Sequence, residues 1–412
     1  MATTTWLTSE QAAGRLGVKR ETLYAYVSRG LIRSERVPGQ RRSRFLRVDV
    51  ERHAARSRTG GRPGGLEVVI ETQLTLLDPE GRLFYRGWDV ADAVRDATFE
   101  EVAAWLWTGE RTRTPFLAPP ELAHAANTAT AAVSTLPAID QLRVALAAVR
   151  TTDPFRFDRR ASAVAATGRA MVAALVEALP EVDPTMARSV AKLGVAPTRA
   201  PSIAARLWPR LSPLRATRQR VAALDGALIL LADHELAAST LAARVTASTW
   251  ADPYLVVQAG LAALGGPLHG GASEGARALL REVERGEATA AEAIGARLGR
   301  GERIPGFGHK VYRTADPRAG LLLDLVGVPS PAAAAVLATM AERSLPFANV
   351  DLALATMAEA FQMVPGAGEL IFAVARTVGW LAHAIEEYEH ALRFRLRAAY
   401  IGPAPAAGPP SA

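Results

Sequence analysis

The sequence predicts a mainly α-helical protein in which a small basic module precedes a much larger helical region. Hydrophobic residues make up 49% of the 412 residues, which is enough to build a large core. In the Ala- and Leu-rich stretch 66–402, proline and glycine recur at intervals that suit helices. Residues 1–62 instead contain 14 Arg and Lys against 5 Asp and Glu, although the whole chain has a net charge of only +7. This local excess indicates a polyanionic partner.

Composition also predicts where the domains begin and end. Four glycines and a proline within residues 60–65 predict a linker at 59–65, between an N-terminal domain (1–58) and a large domain (66–402). Residues 403–412 are rich in proline and alanine, so we expect a disordered tail. The alternating residues Glu67–Leu77 predict short strands at the start of the large domain.

Three features predict a cytoplasmic protein with no membrane segment. Met1–Ala13 lacks the basic and apolar regions of a signal peptide. The most apolar stretch, Val221–Ala232, contains Asp225 and is too short to span a bilayer. The chain has no cysteine, which excludes disulfides and thiolate metal sites and fits a reducing compartment.

The N-terminal module has the pattern of two short helices joined by a tight turn. Thr8 and Gln11 form a capping-box pattern, Gly17-Val18 predicts a turn, and Lys19–Val27 predicts a second helix. This is the helix-turn-helix arrangement, in which the second helix enters the DNA major groove. Arg41–Phe45 is typical of a basic wing, and Val48-Asp49-Val50 predicts the start of another helix.

This module resembles the winged-helix domain of MerR-like regulators and phage excisionases. The resemblance implies DNA binding, with arginines of the wing on phosphates and two residues of the second helix near base edges. The predicted phosphate contacts are Arg41, Arg42 and Arg44, and the predicted base-edge residues are Arg20 and Tyr24. The alternative is a basic docking or dimerisation element.

In the large domain, three polar residues lie in surroundings suited to carbon-acid chemistry. His269 is surrounded by glycines just before a helical stretch, and a helix N-terminus keeps an imidazole neutral. His309 follows Gly306 and Gly308, which allow a ligand to approach the backbone. Asp351 is an isolated carboxylate in an apolar run, where a raised pKa suits a general base. Spacing alone does not identify the reaction.

The segments GPLHGGA, PGFGHKVYRTADPRA and NVD resemble citrate synthase, and the resemblance extends from about residue 66 to residue 402. It implies the helical citrate synthase fold, with a small domain at about residues 273–362 inserted in a large one. Closure of the small domain then excludes water from the reaction.

The resemblance also implies a role for each matching residue. Asp351 takes a proton from the acyl-CoA methyl group, His269 donates to the thioester carbonyl, and His309 polarises the ketone of oxaloacetate. The residues implied to hold oxaloacetate are His234, Arg318, Arg376 and Arg395. Those implied to hold CoA are Gly306, Phe307, Gly308 and Arg313.

The expected function is therefore the condensation of acetyl-CoA with oxaloacetate and water to citrate and CoA, by a homodimer. Acetyl-CoA is a co-substrate, and neither a metal nor a prosthetic cofactor is expected. Two alternatives stay open. One is 2-methylcitrate synthesis from propionyl-CoA, and the other is a DNA-binding regulator whose enzyme-like domain senses a metabolite.

Overall fold

The computed structural model describes residues 6–36, 43–57, 69–78, 81–183 and 201–394. The chain divides into two compact units, Met1–Thr72 and Gln73–Ala412. The predicted linker and tail lie outside the described residues, as do Arg41, Arg42 and Arg395. The predicted domain boundaries at the linker and tail therefore stay predictions.

The described part of the first unit contains three helices and a three-stranded antiparallel sheet in the order β1-β3-β2. In chain order the elements are β1 Trp6–Thr8, α1 Ser9–Leu16, α2 Arg20–Ser28, β2 Ser34–Arg36, β3 Ser43–Leu46 and α3 Arg47–Ser57. The strands β2 and β3 pair Glu35 with Arg44 and form the predicted wing. The winged helix-turn-helix prediction is confirmed.

Local signals explain how this unit forms. Thr8 Oγ1 accepts the N–H of Gln11, and the Gln11 side chain accepts the N–H of Thr8, which completes the predicted capping box. Gly17 ends α1 with a φ of 64°, a conformation that costs glycine little. The apolar faces meet at Leu23, Phe45 and Val50, all fully buried.

The described part of the second unit contains fifteen helices and a second three-stranded sheet. The strands are β4 Thr75–Leu77, β5 Leu83–Tyr85 and β6 Trp88–Asp89. The helices are α4 Val90–Asp96, α5 Phe99–Thr108, α6 Pro120–Ala132, α7 Ala138–Thr152, α8 Ala161–Ala178, α9 Ile203–Leu211, α10 Arg218–Leu231, α11 Ala238–Ser248, α12 Pro253–Leu264, α13 Ala272–Glu284, α14 Ala290–Gly299, α15 Pro317–Val326, α16 Pro331–Glu342, α17 Val350–Ala360 and α18 Ala367–Glu387.

The strands at the start of this unit are shorter than the alternation predicts. Within the described part of this range, residues 69–77, only Thr75–Leu77 forms a strand. Thr75 pairs with Tyr85 across the sheet. Alternation overestimates strand length here because a strand ends where its pairing partner ends.

The helix α18 forms the centre of the main core. Its side chains are buried around almost the whole circumference, from Ala367 to Ala384. Neighbouring helices approach it closely at glycines: a Cβ atom on Gly260 of α12 would clash with the Trp380 ring, and one on Gly168 of α8 would clash with Leu381. Small residues at these crossings therefore set the helix packing.

A second, smaller hydrophobic cluster brings together residues from α13, α14, α16 and α17, including Leu280, Ile294, Val336 and Leu352. It falls within the range predicted for the small domain, 273–362. The helix α15 from the same range contributes Leu322 to the main core instead. Closure of a small domain stays a prediction.

One described helix, α8, is long and apolar enough to cross a bilayer by length and composition alone. More than half of it is buried inside the unit, where Met171 and Leu175 belong to the main core. Such burial is typical of a core helix.

Candidate active site

His234 lies in the loop between α10 and α11. The Tyr85 hydroxyl holds this loop, since it donates to the carbonyl oxygen of Asp233 (3.0 Å) and accepts the Asp233 N–H (3.2 Å). Gly379 of α18 approaches so closely that a Cβ atom there would clash with Asp233 Oδ1. The His234 side chain is buried. Burial, with the positive charges of Arg318 and Arg376, holds its pKa well below the usual value, so the ring is neutral.

His309 lies in a loop shaped by two glycines. Gly306 and Gly308 have φ values of 82° and 76°, which L side chains rarely adopt. The N–H of Gly308 donates to the carbonyl oxygen of Phe347 (2.7 Å), and Phe307 forms a β-bridge with Ala348. The loop is thereby joined to the residues just before α17, the helix that carries Asp351.

His234, His309 and Tyr312 form one cluster. The His234 and His309 ring centroids are 5.2 Å apart, and the Tyr312 ring lies 5.5 Å from the first and 4.7 Å from the second. The Tyr312 hydroxyl is 3.1 Å from His234 Nε2. Burial and the charge of Arg318 lower the pKa of His309 to about 4, so this imidazole is also neutral at pH 7.

Arg318 borders this cluster and is paired with an acidic residue. Its Nε and Nη2 donate to the two carboxylate oxygens of Asp316, at 2.9 and 2.8 Å. Asp316 also accepts the N–H of Val350, the first residue of α17 (3.0 Å). Arg318 is buried, and this bidentate ion pair fixes the direction of its guanidinium group.

Arg376 is buried as deeply but has no such carboxylate partner within the part of the chain that the structure describes. Its Nε donates to the carbonyl oxygen of Leu231 (2.8 Å), whereas Nη1 and Nη2 are buried with no hydrogen-bond partner among the described residues. The guanidinium carbon lies 4.6 Å from the centroid of the Phe372 ring. Burial lowers the pKa of Arg376 to about 10, so the group keeps its charge at pH 7. Two buried N–H-bearing atoms without a partner are costly unless a ligand accepts from them.

His269 also lies against Phe372. The two ring centroids are 5.4 Å apart, and His269 Nε2 is 2.8 Å from the hydroxyl oxygen of Ser239. Burial, with a contribution from Arg376, lowers the pKa of His269 to about 4. The ring is therefore a neutral hydrogen-bonding group, as the sequence predicts.

Asp351 is the second residue of α17, which Asn349 caps by accepting the Asp351 N–H (3.0 Å). Burial raises the pKa of its carboxyl group to about 6, because the opposing charge of Arg318 only partly offsets the loss of hydration. Such a group is ionised at pH 7 yet accepts a proton readily, which suits a general base.

These residues are of the types that suit an anion with a carbonyl group. The structure brings His234, His309 and Arg318 into contact, and places Arg376 and His269 on the same aromatic ring. Buried arginines bind carboxylates, neutral imidazoles polarise carbonyl oxygens, and a carboxylate of raised pKa removes a proton. The described residues contain no group of three or more potential metal ligands.

The predicted CoA-binding residues differ in exposure. Arg313 is exposed, whereas Phe307 and Gly308 are half-buried. Gly306 is buried, and a Cβ atom there would lie 2.9 Å from the Cβ of Leu352. Gly306 thus has a packing role whether or not it contacts a ligand, and the CoA assignments stay predictions.

In the N-terminal unit, Arg20 and Tyr24 are exposed on the same face of α2. Arg44 is already engaged: it forms an ion pair with Glu35 on the facing strand and lies 5.1 Å from the Trp6 ring. Since a paired guanidinium is less available to phosphate, Arg20 is more available than Arg44 for the predicted DNA contacts.

Sequence reasoning assigned no role to Tyr312, Asp316, Ser239 or Phe372. The first two lie inside the PGFGHKVYRTADPRA segment, where the short spacing to His309 and Arg318 is a usable signal. Ser239 and Phe372 are 30 and 103 residues from His269, and nothing in their local sequence indicates the contact.

Comparison with known proteins gives two family matches. Residues 65–397 match "Citrate synthase, C-terminal domain", and residues 6–58 match "Helix-turn-helix domain". The chain is 31% identical to citrate synthase of Haloferax volcanii, with 82% of this chain and 95% of that protein covered. It is 29% identical to 2-methylcitrate synthase 1 of Corynebacterium glutamicum, over 82% of this chain and 94% of that protein.

A solved structure is similar over the same region. It is the ternary complex of carboxymethyl coenzyme A and oxaloacetate with citrate synthase from Thermoplasma acidophilum. The TM-score is 0.62 at 25% sequence identity, with 83% of this chain and 96% of that chain covered. The similarity therefore covers nearly all of the second unit.

Proposed function

The chain belongs to the citrate synthase family, and on that premise we propose that it condenses acetyl-CoA with oxaloacetate and water to give citrate and free CoA. The observation that carries the proposal is the buried Arg376 guanidinium, whose Nη1 and Nη2 have no partner among the described residues. Its charge and depth suit one carboxylate of a small dicarboxylic keto acid.

The residues suit each step of this reaction. Asp351 removes a proton from the methyl group of acetyl-CoA, while His269 donates a hydrogen bond to the thioester oxygen, which stabilises the negative charge of the enolate that forms. The enolate carbon attacks the ketone carbon of oxaloacetate, whose oxygen His309 polarises. As the carbon–carbon bond forms, the ketone π bond breaks, and the oxygen takes up one proton, equivalent to the one that Asp351 removed, to become a hydroxyl group. Water then cleaves the thioester of the product and releases CoA as a free thiol. Because His269 and His309 are neutral, both act as hydrogen-bond donors rather than as cations.

Oxaloacetate is held between the two buried arginines in this proposal. Arg376 pairs with one carboxylate, Arg318 is held by Asp316 next to the site of the other, and His234 adds a hydrogen bond. By resemblance Arg395 belongs to the same set, but it lies outside the described residues. The half-buried loop at Phe307 and the exposed Arg313 are proposed to hold CoA.

A thiol-release assay tests the proposal. With acetyl-CoA, the wild-type protein should release free thiol only when oxaloacetate is present. Asp351→Asn, which keeps size but removes the base, should lower kcat by about 10³-fold. The matched control is Asp92→Asn, which changes an exposed carboxylate on α4 and should leave kcat unchanged. Thiol release without oxaloacetate, or full activity of Asp351→Asn, would contradict the proposal.

A second candidate is the same reaction with propionyl-CoA, since relatives named 2-methylcitrate synthase match the chain at similar identity. One extra methylene changes discrimination by about 1–3 kcal/mol, roughly 10–200-fold in kcat/KM. The ratio of kcat/KM for the two thioesters, measured at fixed oxaloacetate, decides between them. A ratio above about ten for propionyl-CoA would favour 2-methylcitrate synthesis.

We also propose that the first unit binds DNA through the exposed face of α2. A gel shift of the whole protein on its own upstream DNA should weaken steeply with salt, because phosphate contacts release counterions. Arg20→Ala should weaken binding, whereas Arg95→Ala in the second unit should not. A shift that requires oxaloacetate and persists in Asp351→Asn would support the metabolite-sensor alternative. No shift at low salt would contradict DNA binding.

The remaining expectations follow from the family. The reaction as proposed needs no metal or prosthetic cofactor, since acetyl-CoA is a co-substrate. We propose that the protein is a homodimer located in the cytoplasm. Light scattering coupled to size-exclusion chromatography measures the assembly directly, and a monomer would contradict the dimer.

A further inference from the structure

Tyr312 contacts two histidines of the site in two different ways. Its main-chain N–H donates to Nδ1 of His309 (3.2 Å), and the N–H of Val311 donates to the same atom (3.0 Å). Its side-chain hydroxyl lies 3.1 Å from Nε2 of His234. The hydroxyl contact with His234 is buried, whereas the main-chain contacts with His309 lie nearer the surface.

The contacts of His309 define its tautomer. Because a main-chain N–H can only donate, Nδ1 of His309 accepts, and a neutral ring then carries its proton on Nε2. Arg318 Nη2 is 3.5 Å from Nε2, at the outer limit of a hydrogen bond, and it too can only donate. The two shorter hydrogen bonds from main-chain N–H groups to Nδ1 therefore determine the tautomer of His309. Its Nε2–H can then donate to a carbonyl oxygen.

The direction of the hydrogen bond between Tyr312 and His234 follows from the partners that each group has. The only side-chain partner of the Tyr312 hydroxyl among the described residues is His234 Nε2. If the hydroxyl accepted from the ring, its own buried hydrogen would be left without an acceptor, which is costly. The hydrogen-bond inventory of the described residues thus favours donation from the hydroxyl to Nε2, with the ring proton of His234 on Nδ1.

We propose that Tyr312 is a positioning residue that sets the tautomers of both histidines, with the proton on Nε2 of His309 and on Nδ1 of His234. Each imidazole then presents one N–H: that of His309 to the ketone oxygen and that of His234 to a carboxylate oxygen of the keto acid. This role rests on the proposed function for its substrate, but the tautomers themselves do not depend on turnover. Tyr312 acts through the histidines and takes no part in the chemical step.

The direct test is nitrogen-15 NMR of the whole wild-type protein labelled at histidine, since protonated and unprotonated ring nitrogens differ clearly in chemical shift. His234→Gln and His309→Gln assign the signals. We expect His309 protonated on Nε2 and His234 on Nδ1. The opposite tautomer at either ring overturns the proposal, and this measurement needs neither a Tyr312 variant nor catalytic activity.

A second test is Tyr312→Phe, which removes only the hydroxyl. We expect the KM for oxaloacetate to rise about tenfold, the KM for acetyl-CoA to change less than twofold, and the His234 signals to move towards the other tautomer while those of His309 stay. The matched control is Tyr254→Phe, which removes the hydroxyl of another buried tyrosine, one that donates to Asp153 Oδ2 (2.8 Å). It should change neither KM.

The outcomes separate this proposal from the proposed function. An unchanged KM for oxaloacetate and unchanged His234 signals in Tyr312→Phe overturn the positioning role while leaving citrate synthesis intact. If the wild-type protein instead lacks oxaloacetate-dependent thiol release but shows the predicted tautomers, the proposed function fails and the positioning role stands. Oxaloacetate binding measured by calorimetry then replaces KM as the readout.

Discussion

Arg244 and Arg376 are equally buried, each about 1% exposed, but they have opposite hydrogen-bonding environments. Arg244 donates to Glu387 (2.9 Å), to Glu386 (2.9 Å) and to Nδ1 of His383 (2.7 Å). Arg376 donates only from Nε, to a main-chain oxygen, and its two terminal nitrogens have no partner among the described residues. A buried cation with every donor satisfied serves the fold, whereas one with free donors is suited to a ligand.

The surroundings of Arg244 extend this contrast. Since Arg244 can only donate, Nδ1 of His383 accepts, and Nε2 of that ring donates to Asp233 (3.3 Å). Glu387 also pairs with Arg393, which ties the residues after α18 to the same network. The loop that carries His234 is thus held by a polar network that does not include Arg376. Arg244 therefore has a hydrogen-bond or ion-pair partner for each of its side-chain nitrogens, whereas two nitrogens of Arg376 have none among the described residues.

The largest expected effect is on activity, from Arg376→Leu. Removing two charge-assisted hydrogen bonds to a carboxylate, at about 1.5–3 kcal/mol each, should lower kcat/KM for oxaloacetate by about 10³-fold. The free energy of unfolding should change by less than about 1 kcal/mol, because the variant also removes an unpaired buried charge. Steady-state kinetics and urea unfolding measure the two quantities. A large loss of stability with intact kinetics would place Arg376 in the same structural class as Arg244.

The next effect is on stability, from Arg244→Met. The change leaves Glu387 and His383 buried without their shared partner, and breaking a buried pair from one side costs about 3–5 kcal/mol. Urea unfolding at pH 7 measures the loss, with Arg376→Leu as the matched control for removing a buried guanidinium. If both variants unfold at the same urea concentration as the wild type, the hydrogen bonds of Arg244 do not stabilise the fold, and the contrast with Arg376 fails.

Arg318 is an intermediate case, and it predicts a pH dependence. Because its guanidinium is paired with Asp316, its charge does not cancel the effect of burial on Asp351, whose pKa is raised to about 6. The base must be ionised to act, so kcat/KM for acetyl-CoA should fall about tenfold per pH unit below pH 6. His269 and His309, with a pKa of about 4, stay neutral down to pH 5 and add no slope there. A flat profile from pH 7 to pH 5 would show that Asp351 is not the base.

The sequence predicts what is local in this site and misses what is distant. His269, His309 and Asp351 are identifiable because glycines or an apolar run mark their surroundings within a few residues. Arg244 and His383 are 139 residues apart in the chain, and neither has a neighbour in sequence that indicates the other. Whether Arg376 is paired is equally invisible in sequence, because it depends on which carboxylates tertiary packing brings near.

The fold follows the same rule. The capping signal at Thr8 and Gln11 predicts the start of a helix correctly, and the structure shows the same kind of capping box at Thr98 and Glu101. Strand length after residue 67 is not predicted, because pairing and not alternation ends a strand. Arg44 is an instructive case: a basic residue in a wing indicates DNA, but its pairing with Glu35 depends on the register between two strands.

The smallest expected effect comes from an arginine at the surface. Arg95 pairs with Asp92 one helical turn away on α4, with 64% and 51% of the two side chains exposed. Hydration already satisfies both charges, so Arg95→Ala should change the free energy of unfolding by less than about 0.5 kcal/mol and leave kcat/KM unchanged. Urea unfolding of Arg95→Ala and Arg244→Met under the same conditions compares the two losses in the free energy of unfolding. A loss above about 1 kcal/mol at Arg95 would mean that ion pairing stabilises this protein regardless of burial. The stability of Arg244→Met would then not distinguish Arg244 from Arg376, and only the effect on kcat/KM for oxaloacetate would do so.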